Sequence, residues 1–124
     1  MKNENEKSLL SQEEENLKEL LKVSAYKIGS FSYDVPTRML NRSGESTKLT
    51  TKESLLLILF AANANVFLDR KIALRMIWKD DNYYNSRSMD VYICKLRKLL
   101  SADENVHIVN IHGKGYKLIT PSEK

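Results

Sequence analysis

The chain has 124 residues, 42% of them hydrophobic, and a formal net charge of +4, which suits one domain with one core and permits an anionic partner. Its one cysteine, Cys94, excludes an internal disulfide and a multi-cysteine zinc site, and no apolar run is long enough to span a membrane. Because the N-terminus also lacks the apolar core of a signal peptide, we expect a cytoplasmic protein.

The first 24 residues are polar, and residues 1–22 carry six Glu and four Lys, a net charge of −2. Within them, SLLSQEEENLKELLKV offers Ser11 as an N-cap, three Glu in the first turn and a small apolar stripe of Leu17, Leu20 and Leu21. A short isolated helix is marginal in water. The pattern therefore favours a flexible or partly helical linker over residues 1–24, while a dimer-forming or docking helix remains open.

In the segment from Ala25 to Thr50, apolar and polar residues alternate as they do in short β-strands. Aromatic and branched residues alternate in YKIGSFSYD, where Gly29 predicts a bulge, and TRMLNR and STKLT read as two more strands around Ser43 and Gly44. The residues alone thus predict three consecutive strands in an antiparallel sheet.

Two helical segments follow. TKESLLLILFAANA is apolar nearly all round, which predicts a buried helix capped by Thr50 or Thr51. Asp69 is the predicted cap of RKIALRMIW, and the pattern predicts that Ile72, Met76 and Ile77 face the core. The KDDNYYN segment reads as a polar loop.

The stretch SRSMDVYICKLRKLL, residues 86–100, has apolar residues three and four apart and reads as an amphipathic helix. Its buried stripe is predicted to contain Met89, Ile93, Leu96 and Leu100, with Leu99 beside it. The opposite face is predicted to carry Arg87, Ser88, Val91, Tyr92 and Lys95. A hairpin follows in VHIVNIHGKGYKLIT, where residues 113–115 form the turn, Lys114 the tip and Lys117 a neighbour on the returning strand.

No pattern of catalysis is present. His107 and His112 have no Cys, Asp or Glu spaced to complete a metal site, and Cys94 has no evident base. The GKG of residues 113–115 is too short for a phosphate-binding loop. We therefore expect no enzyme, no metal and no cofactor.

Binding of double-stranded DNA explains more of the pattern. A helix fits the major groove if an apolar back docks it on its domain and donors on its front meet base edges. Lys95 can reach guanine acceptors, Val91 can meet a thymine methyl group, and the Tyr92 hydroxyl can donate to a phosphate. Three alternatives remain open: a solvated helix face, a protein-interaction module, and a binder of single-stranded nucleic acid.

Three segments together resemble the DNA-binding effector domain of OmpR/PhoB-type bacterial response regulators, over roughly residues 26–120. They are LTTKESLLLILFAANANVFLDRKIALRMIW, SRSMDVYICKLRKLL and IVNIHGKGYKL. The family pattern is matched at Leu49, Thr50, Glu53, Trp78, Arg87, Asp90, Val91, Ile93, Leu96, Arg97, Leu100, Gly113, Gly115 and Tyr116. The resemblance implies an α+β winged helix-turn-helix domain over residues 25–121, with an N-terminal four-stranded sheet, three helices, a β-hairpin wing and a tail at 122–124.

The resemblance also implies roles for individual residues. Residues 86–100 become the recognition helix, whose base-facing residues are Ser88, Val91 and Lys95. Phosphate contacts are implied for Trp78, Arg87, Tyr92 and Arg97, although Arg97 is alternatively a structural residue paired with an acid. The wing residues are His112, Lys114 and Lys117, and His112 stands where some members have a minor-groove Arg. The loop residues implied to face RNA polymerase are Lys79, Asp80, Asp81 and Asn82.

Family members are transcription regulators of two-component systems, and they commonly bind direct-repeat DNA as head-to-tail dimers. We expect this chain to be a monomer in solution and such a dimer on DNA. Nothing in the sequence resembles a phosphorylatable receiver domain, so residues 1–24 read as an interdomain linker and the chain as an excised C-terminal part. A stand-alone regulator remains open.

Overall fold

The computed structural model describes the backbone of residues 4–121 and the side chains of residues 12–121. Within that range the elements are α1 (Glu4–Leu21), β1 (Ala25–Ile28), β2 (Phe31–Asp34), β3 (Met39–Arg42), β4 (Glu45–Lys48), α2 (Thr51–Ala62), β5 (Leu68–Asp69), α3 (Arg70–Trp78), α4 (Tyr83–Leu100), β6 (His107–Ile111) and β7 (Gly115–Ile119). Strands β1 to β4 form one antiparallel sheet in sequence order, and a second sheet has the order β5-β7-β6. The expected α+β winged-helix architecture is confirmed.

The N-terminal sheet has four strands, so the three strands read from the residues were wrong and the four implied by the resemblance were right. Gly29 is the start of a turn and not a bulge: its φ is 58°, and Ile28 pairs with Phe31 directly across it. A Cβ on Gly29 would lie 2.5 Å from Val106 Cγ2. The two-residue turn shifts the alternation by one residue, from Tyr26 and Ile28 to Phe31 and Tyr33, and a bulge within one strand gives the same shift, which hid the turn.

Helix α2 begins with a capping box, which settles its cap as Thr50: the Thr50 side chain accepts from the Glu53 amide and Glu53 accepts from the Thr50 amide. Its apolar residues lie in the core as predicted. Asp69 caps α3 as predicted, accepting from the amides of Lys71 and Ile72. The prediction that Ile72 faces the core was wrong, since its side chain is 40% exposed. The buried stripe of α3 is centred on Ala73 and Ile77, which leaves Ile72 on the solvent side.

Helix α4 begins at Tyr83, three residues before the predicted start at Ser86. Asn82 is its N-cap and accepts from the Asn85 amide at 2.9 Å, so the predicted seven-residue loop is shorter than expected. The two tyrosines gave a loop-like pattern because they point outward, with Tyr83 69% and Tyr84 80% exposed. The predicted buried stripe is confirmed: Met89, Ile93, Leu96 and Leu100 are each at most 2% exposed.

Strand β5 was not predicted, and it joins the C-terminal hairpin to the helices. It has only two residues, which pair with β7 as Leu68 with Tyr116 and Asp69 with Gly115. A Cβ on Gly115 would lie 2.2 Å from the Leu68 carbonyl oxygen, so only glycine allows this approach. The hairpin formed by β6 and β7, named here the wing, is thus the outer part of a three-stranded sheet.

Helix α1 packs on α2 and α3, and its Leu17 and Leu20 lie half-buried against the core. The Tyr26 hydroxyl, from β1, donates to the Leu20 carbonyl at 2.8 Å. The leader predicted over residues 1–24 thus contains a helix that rests on the domain. In the described part of the chain, no helix is both long and apolar enough to cross a membrane.

Candidate nucleic-acid interface

The outward face of α4 carries the residues predicted to meet base edges. Val91 is 54% exposed, Lys95 is exposed and Ser88 is half-buried beside them. Arg87 and Cys94 are exposed on the same face. The face is therefore an open surface of one apolar contact among donors, as the helical periodicity predicted.

Three of the predicted residues meet along one side of α4. The Trp78 ring, at the end of α3, lies 5.7 Å from the ring of Tyr92. Lys95 Nζ, one turn along α4, lies 5.3 Å from the centre of the Tyr92 ring. Lys52 Nζ lies 5.4 Å from the centre of the Trp78 ring. Lys52 also donates to the Ile77 carbonyl at 2.8 Å. Two cations thus flank two neighbouring aromatic rings, whose planes are tilted by 55° to each other, at the edge of the helix.

Arg97 lies on the opposite side of α4 and faces the wing. Its Nε donates to the Ile108 carbonyl of β6 at 3.0 Å, while the residue as a whole is exposed. The structural alternative predicted an acidic partner, and the observed partner is a backbone carbonyl. Arg97 therefore holds the wing strand with one nitrogen.

Arg70 is a residue that the sequence reasoning missed. Its Nη2 lies 2.8 Å from Asp90 Oδ1 and donates to the Ser86 carbonyl at 2.7 Å, and its Nη1 donates to the Tyr116 hydroxyl. The guanidinium, only 17% exposed, thereby joins the start of α3, the first turns of α4 and strand β7. Asp90 and Tyr116 belonged to the family pattern, but no periodicity pointed to Arg70.

The Tyr116 ring is fixed from both sides. It meets Phe60 of α2 edge-to-face at 6.3 Å, and its hydroxyl donates to Asp90 at 3.4 Å. Burial raises the pKa of Tyr116, an effect that the Arg70 charge partly offsets. The hydroxyl therefore keeps its proton and can act as a donor in this network.

The wing places two of its three predicted residues on an exposed tip. His112 has a φ of 50° and Gly113 one of 71°, and the Gly113 amide donates to the Asn110 side chain at 2.9 Å. His112 and Lys114 are exposed, whereas Lys117 is half-buried within β7. The turn spans residues 112–114, one residue earlier than the predicted 113–115, because Gly115 already pairs with Ile111 as the first residue of β7.

The loop between α3 and α4 is short and acidic. Lys79 ends α3 in the left-handed region, and Asp80 accepts from Asn85 through its carbonyl at 3.0 Å. Asp81 lies 3.9 Å from Arg75 of α3. All four residues from Lys79 to Asn82 are exposed, so the loop is open to a partner.

A second polar junction supports the end of α4. Both the amide and the hydroxyl of Ser30 donate to Asp103 Oδ2, at 2.9 and 2.7 Å, and the Asn105 amide donates to its Oδ1. These hydrogen bonds, that of the Ser30 hydroxyl first, lower the pKa of Asp103 to about 2. The junction fastens the N-terminal sheet to the segment that leads from α4 into the wing.

Among the described residues, no group of three or more His, Cys, Asp and Glu side chains is placed to hold a metal ion. What the structure assembles is a helix face, a flanking aromatic pair, an exposed wing tip and a rigid Arg70 network that fixes their relative positions.

Comparison with known proteins identifies the family to which a domain of this arrangement belongs. Residues 44–118 match the family model described as "Transcriptional regulatory protein, C terminal". The chain is 59% identical over 98 residues to the transcriptional regulatory protein RprY of Bacteroides fragilis, and the match covers 79% of this chain and 42% of RprY. The chain spans about two fifths of the length of the curated relatives that it matches.

Solved structures agree. The DNA-binding domain of Klebsiella pneumoniae RstA, crystallised with the RstA box, has a TM-score of 0.65 and 28% identity, covering 78% of this chain and 98% of that one. The response regulator DrrB of Thermotoga maritima, an OmpR/PhoB homologue, has a TM-score of 0.67 and 27% identity, covering 92% of this chain and 52% of that one. The chain therefore belongs to the C-terminal domain family of transcriptional regulatory proteins, of the OmpR/PhoB type, a family of transcription regulators and not of enzymes.

Proposed function

We propose that this domain binds double-stranded DNA sequence-specifically, with α4 in the major groove and the wing near the adjacent minor groove. The observation that carries the proposal is the outward face of α4, where Val91 and Lys95 are exposed on a helix whose other face is fully buried. The crystallised complex of RstA with its DNA box supports the same role for a domain of the same family.

In this proposal three residues of α4 contact the base edges directly. Val91 offers an apolar contact to a thymine methyl group, Ser88 a hydroxyl, and Lys95 an ammonium for guanine acceptors. Each good base contact contributes about 1–3 kcal/mol of discrimination between base pairs. Lys95 must leave the Tyr92 ring to do this, which exchanges one weak cation–π contact for a hydrogen bond to a base.

The flanking residues position the helix on the sugar-phosphate backbone. We assign Arg87, Tyr92 and the Trp78 indole to phosphates along the edge of the groove that lies on the Lys95 side of α4 and at its ends. We assign Arg97 to a phosphate on the side that faces the wing. Arg97 uses Nε for Ile108, so its remaining N–H groups serve DNA. His112, Lys114 and Lys117 provide the wing contact, and an imidazole at residue 112 makes that contact weaker than the guanidinium of an Arg would.

The regulatory context is part of the same proposal. The domain acts in the cytoplasm as the effector of a two-component regulator, joined through residues 1–24 to a receiver domain that this chain lacks. It is a monomer in solution and a head-to-tail dimer on DNA. The exposed loop from Lys79 to Asn82 meets RNA polymerase once the domain is bound.

One observation favours a second candidate, a winged-helix module that docks another protein. Tyr83 and Tyr84 are 69% and 80% exposed and stack edge-to-face at 5.8 Å, an arrangement common at protein interfaces. They lie beside the acidic loop and not at the centre of the α4 face. They could therefore contact a protein that binds next to DNA, or a protein that binds instead of DNA.

An NMR titration with a mixed pool of duplexes separates these candidates. Groove binding predicts amide shifts concentrated at residues 86–98 and 110–117 that weaken with salt, because phosphate contacts release counterions. An absence of shifts at low salt would reject DNA binding by this chain and leave the protein-docking module.

A substitution then tests the readout on a selected operator. Lys95→Ala should weaken operator binding about 5- to 150-fold, the equivalent of one lost base contact, and weaken non-specific binding much less. Lys48→Ala is the matched control, because it removes the same charge from the fully exposed strand β4. An equal loss on both kinds of DNA for Lys95→Ala would remove Lys95 from the base-reading set.

A further inference from the structure

Helix α1 contacts the cationic end of α3. Glu13 Oε1 accepts from Arg75 Nη2 at 3.1 Å and from Nε at 3.3 Å, and the Glu13 side chain is only 15% exposed. One turn further on, Lys79 Nζ lies 3.6 Å from Glu14 Oε1. Glu13 and Glu14 of α1 therefore lie against Arg75 near the end of α3 and against Lys79, the first residue of the loop from Lys79 to Asn82.

Arg75 is shared between this helix and the loop. The nitrogens that face α1 are Nε and Nη2, while Nη1 lies 3.9 Å from Asp81 Oδ2, beyond hydrogen-bond distance. A guanidinium has a fixed planar fork, so it cannot turn fully toward one carboxylate without leaving the other. The position of α1 thus decides how closely Arg75 holds Asp81.

The docking of α1 is only weakly favourable. Glu13 Oε2 is buried and has no hydrogen-bond partner among the described residues, which costs free energy. The Glu14–Lys79 pair is exposed on both sides, so it adds little. Among the residues whose side chains are described, the apolar contribution comes from Leu17 and Leu20, which are both only half-buried, and the Leu20 carbonyl accepts from the Tyr26 hydroxyl at 2.8 Å. These contacts dock the helix without burying a large apolar face of its described residues against the domain.

We propose that α1 is a releasable strap that controls the charge presented by the loop. While α1 is docked, Glu13 accepts from Arg75 Nε and Nη2, and Asp81 keeps only the long contact of 3.9 Å to Nη1, so it can still meet a partner whose surface carries Lys or Arg. When α1 leaves, Arg75 turns to Asp81, neutralises it and draws the loop onto α3. This device needs neither DNA nor polymerase, so it stands or falls independently of the proposed function.

Amide hydrogen exchange of the full chain tests the strap, because the proposal predicts changes of opposite sign. Glu13→Ala should raise the exchange rates of residues 12–21 about tenfold and lower those of residues 80–82 about two- to fivefold. Glu15→Ala is the matched control: it removes the same charge from α1, but the ion pair of Glu15 among the described residues is with Lys18 of the same helix, at 3.7 Å, so neither region should change.

Arg75→Met separates the transfer of Arg75 from general loosening. In that background, Glu13→Ala should have no further effect on residues 80–82. Faster exchange in both regions of the Glu13→Ala protein, or no change in residues 80–82, would overturn the proposal. Slower exchange that persists in the Arg75→Met background would overturn it too, since Arg75 would then not be the link.

The kind of partner is tested with a short oligo-arginine peptide as the probe. It should shift the amides of Asp80 and Asp81 in the unmodified chain and shift them several-fold less in the Glu13→Ala protein. Equal shifts in the two proteins would show that α1 does not control access to the loop.

Discussion

The two glycines at the wing tip are required for different reasons, and substitution by alanine should separate them. Gly115 has no space for a side chain, because a Cβ would lie 2.2 Å from the Leu68 carbonyl oxygen and 2.7 Å from the Phe67 ring. Gly113 has open space around it and needs glycine only for its φ of 71°. Gly115→Ala therefore forces strands apart, whereas Gly113→Ala strains one turn.

The magnitudes follow from what each change breaks. Cβ atoms essentially never approach a heavy atom within 3.0 Å, so Gly115→Ala must move β5 by about 0.8 Å. That displacement disturbs the short ladder between β5 and β7 and the hydrogen bond from the Arg70 amide to the Lys114 carbonyl. Two or three weakened hydrogen bonds correspond to about 2–4 kcal/mol of unfolding free energy. Alanine in the left-handed region costs about 1 kcal/mol, so Gly113→Ala should lose only that.

Urea unfolding of the two variants measures the difference, and exchange of the Arg70 amide locates it. Gly115→Ala should lower the unfolding free energy by at least about 1 kcal/mol more than Gly113→Ala and expose the Arg70 amide. If Gly113→Ala destabilises the domain as much as Gly115→Ala, then the close approach of β5 to β7 is not what requires a glycine.

Three further predictions concern stability. Asp103, whose native pKa is about 2 against an ordinary 3.8, stabilises the fold above about pH 4 and loses this contribution as the pH falls toward 2, so Asp103→Asn should flatten the acid limb of a stability–pH curve. Leu96→Ala should cost about 2–5 kcal/mol in urea unfolding because Leu96 is fully buried. Val91→Ala should stay within about 0.5 kcal/mol, and a larger loss would mean that Val91 is not a surface residue. Thr50→Ala should cost about 1 kcal/mol by calorimetry and Thr51→Ala clearly less, and the reverse order would contradict the capping box.

The parts of the fold that the sequence predicted well are those in which one physical period dominates. The two faces of α4 are separated by a 3.6-residue period, so Met89, Ile93 and Leu96 were placed correctly from spacing alone. The start of that helix was misplaced because the exposed aromatic residues Tyr83 and Tyr84 carry no amphipathic signal in its first turn. Ile72 was wrongly assigned to the core because it lies at the edge of the apolar stripe of α3. An apolar residue there fits the helical period and is nevertheless exposed.

The contacts that fix the site depend on tertiary structure, and local patterns do not carry them. Arg70 meets Asp90 and Tyr116, which are 20 and 46 positions away along the chain, and β5 is too short to alternate at all. The four-stranded sheet was recovered only from the resemblance, because the turn at Gly29 shifts the alternation by one residue, as a bulge in a single strand would. The residues predicted to meet DNA could be named from the family pattern, while the network that holds them in place could not.

Strand β5 runs directly into α3 at Arg70, and this continuity has a mechanical meaning. The wing cannot swing away from the helices, because β7 is fastened to β5 and β5 is covalently the beginning of α3. A domain that contacts DNA with α4 and with the wing would then hold these two contacts at a fixed distance from each other. The duplex, and not the protein, would have to adjust its groove width to fit, so sequences that reach that width at low energetic cost would be preferred even at base pairs that no side chain touches.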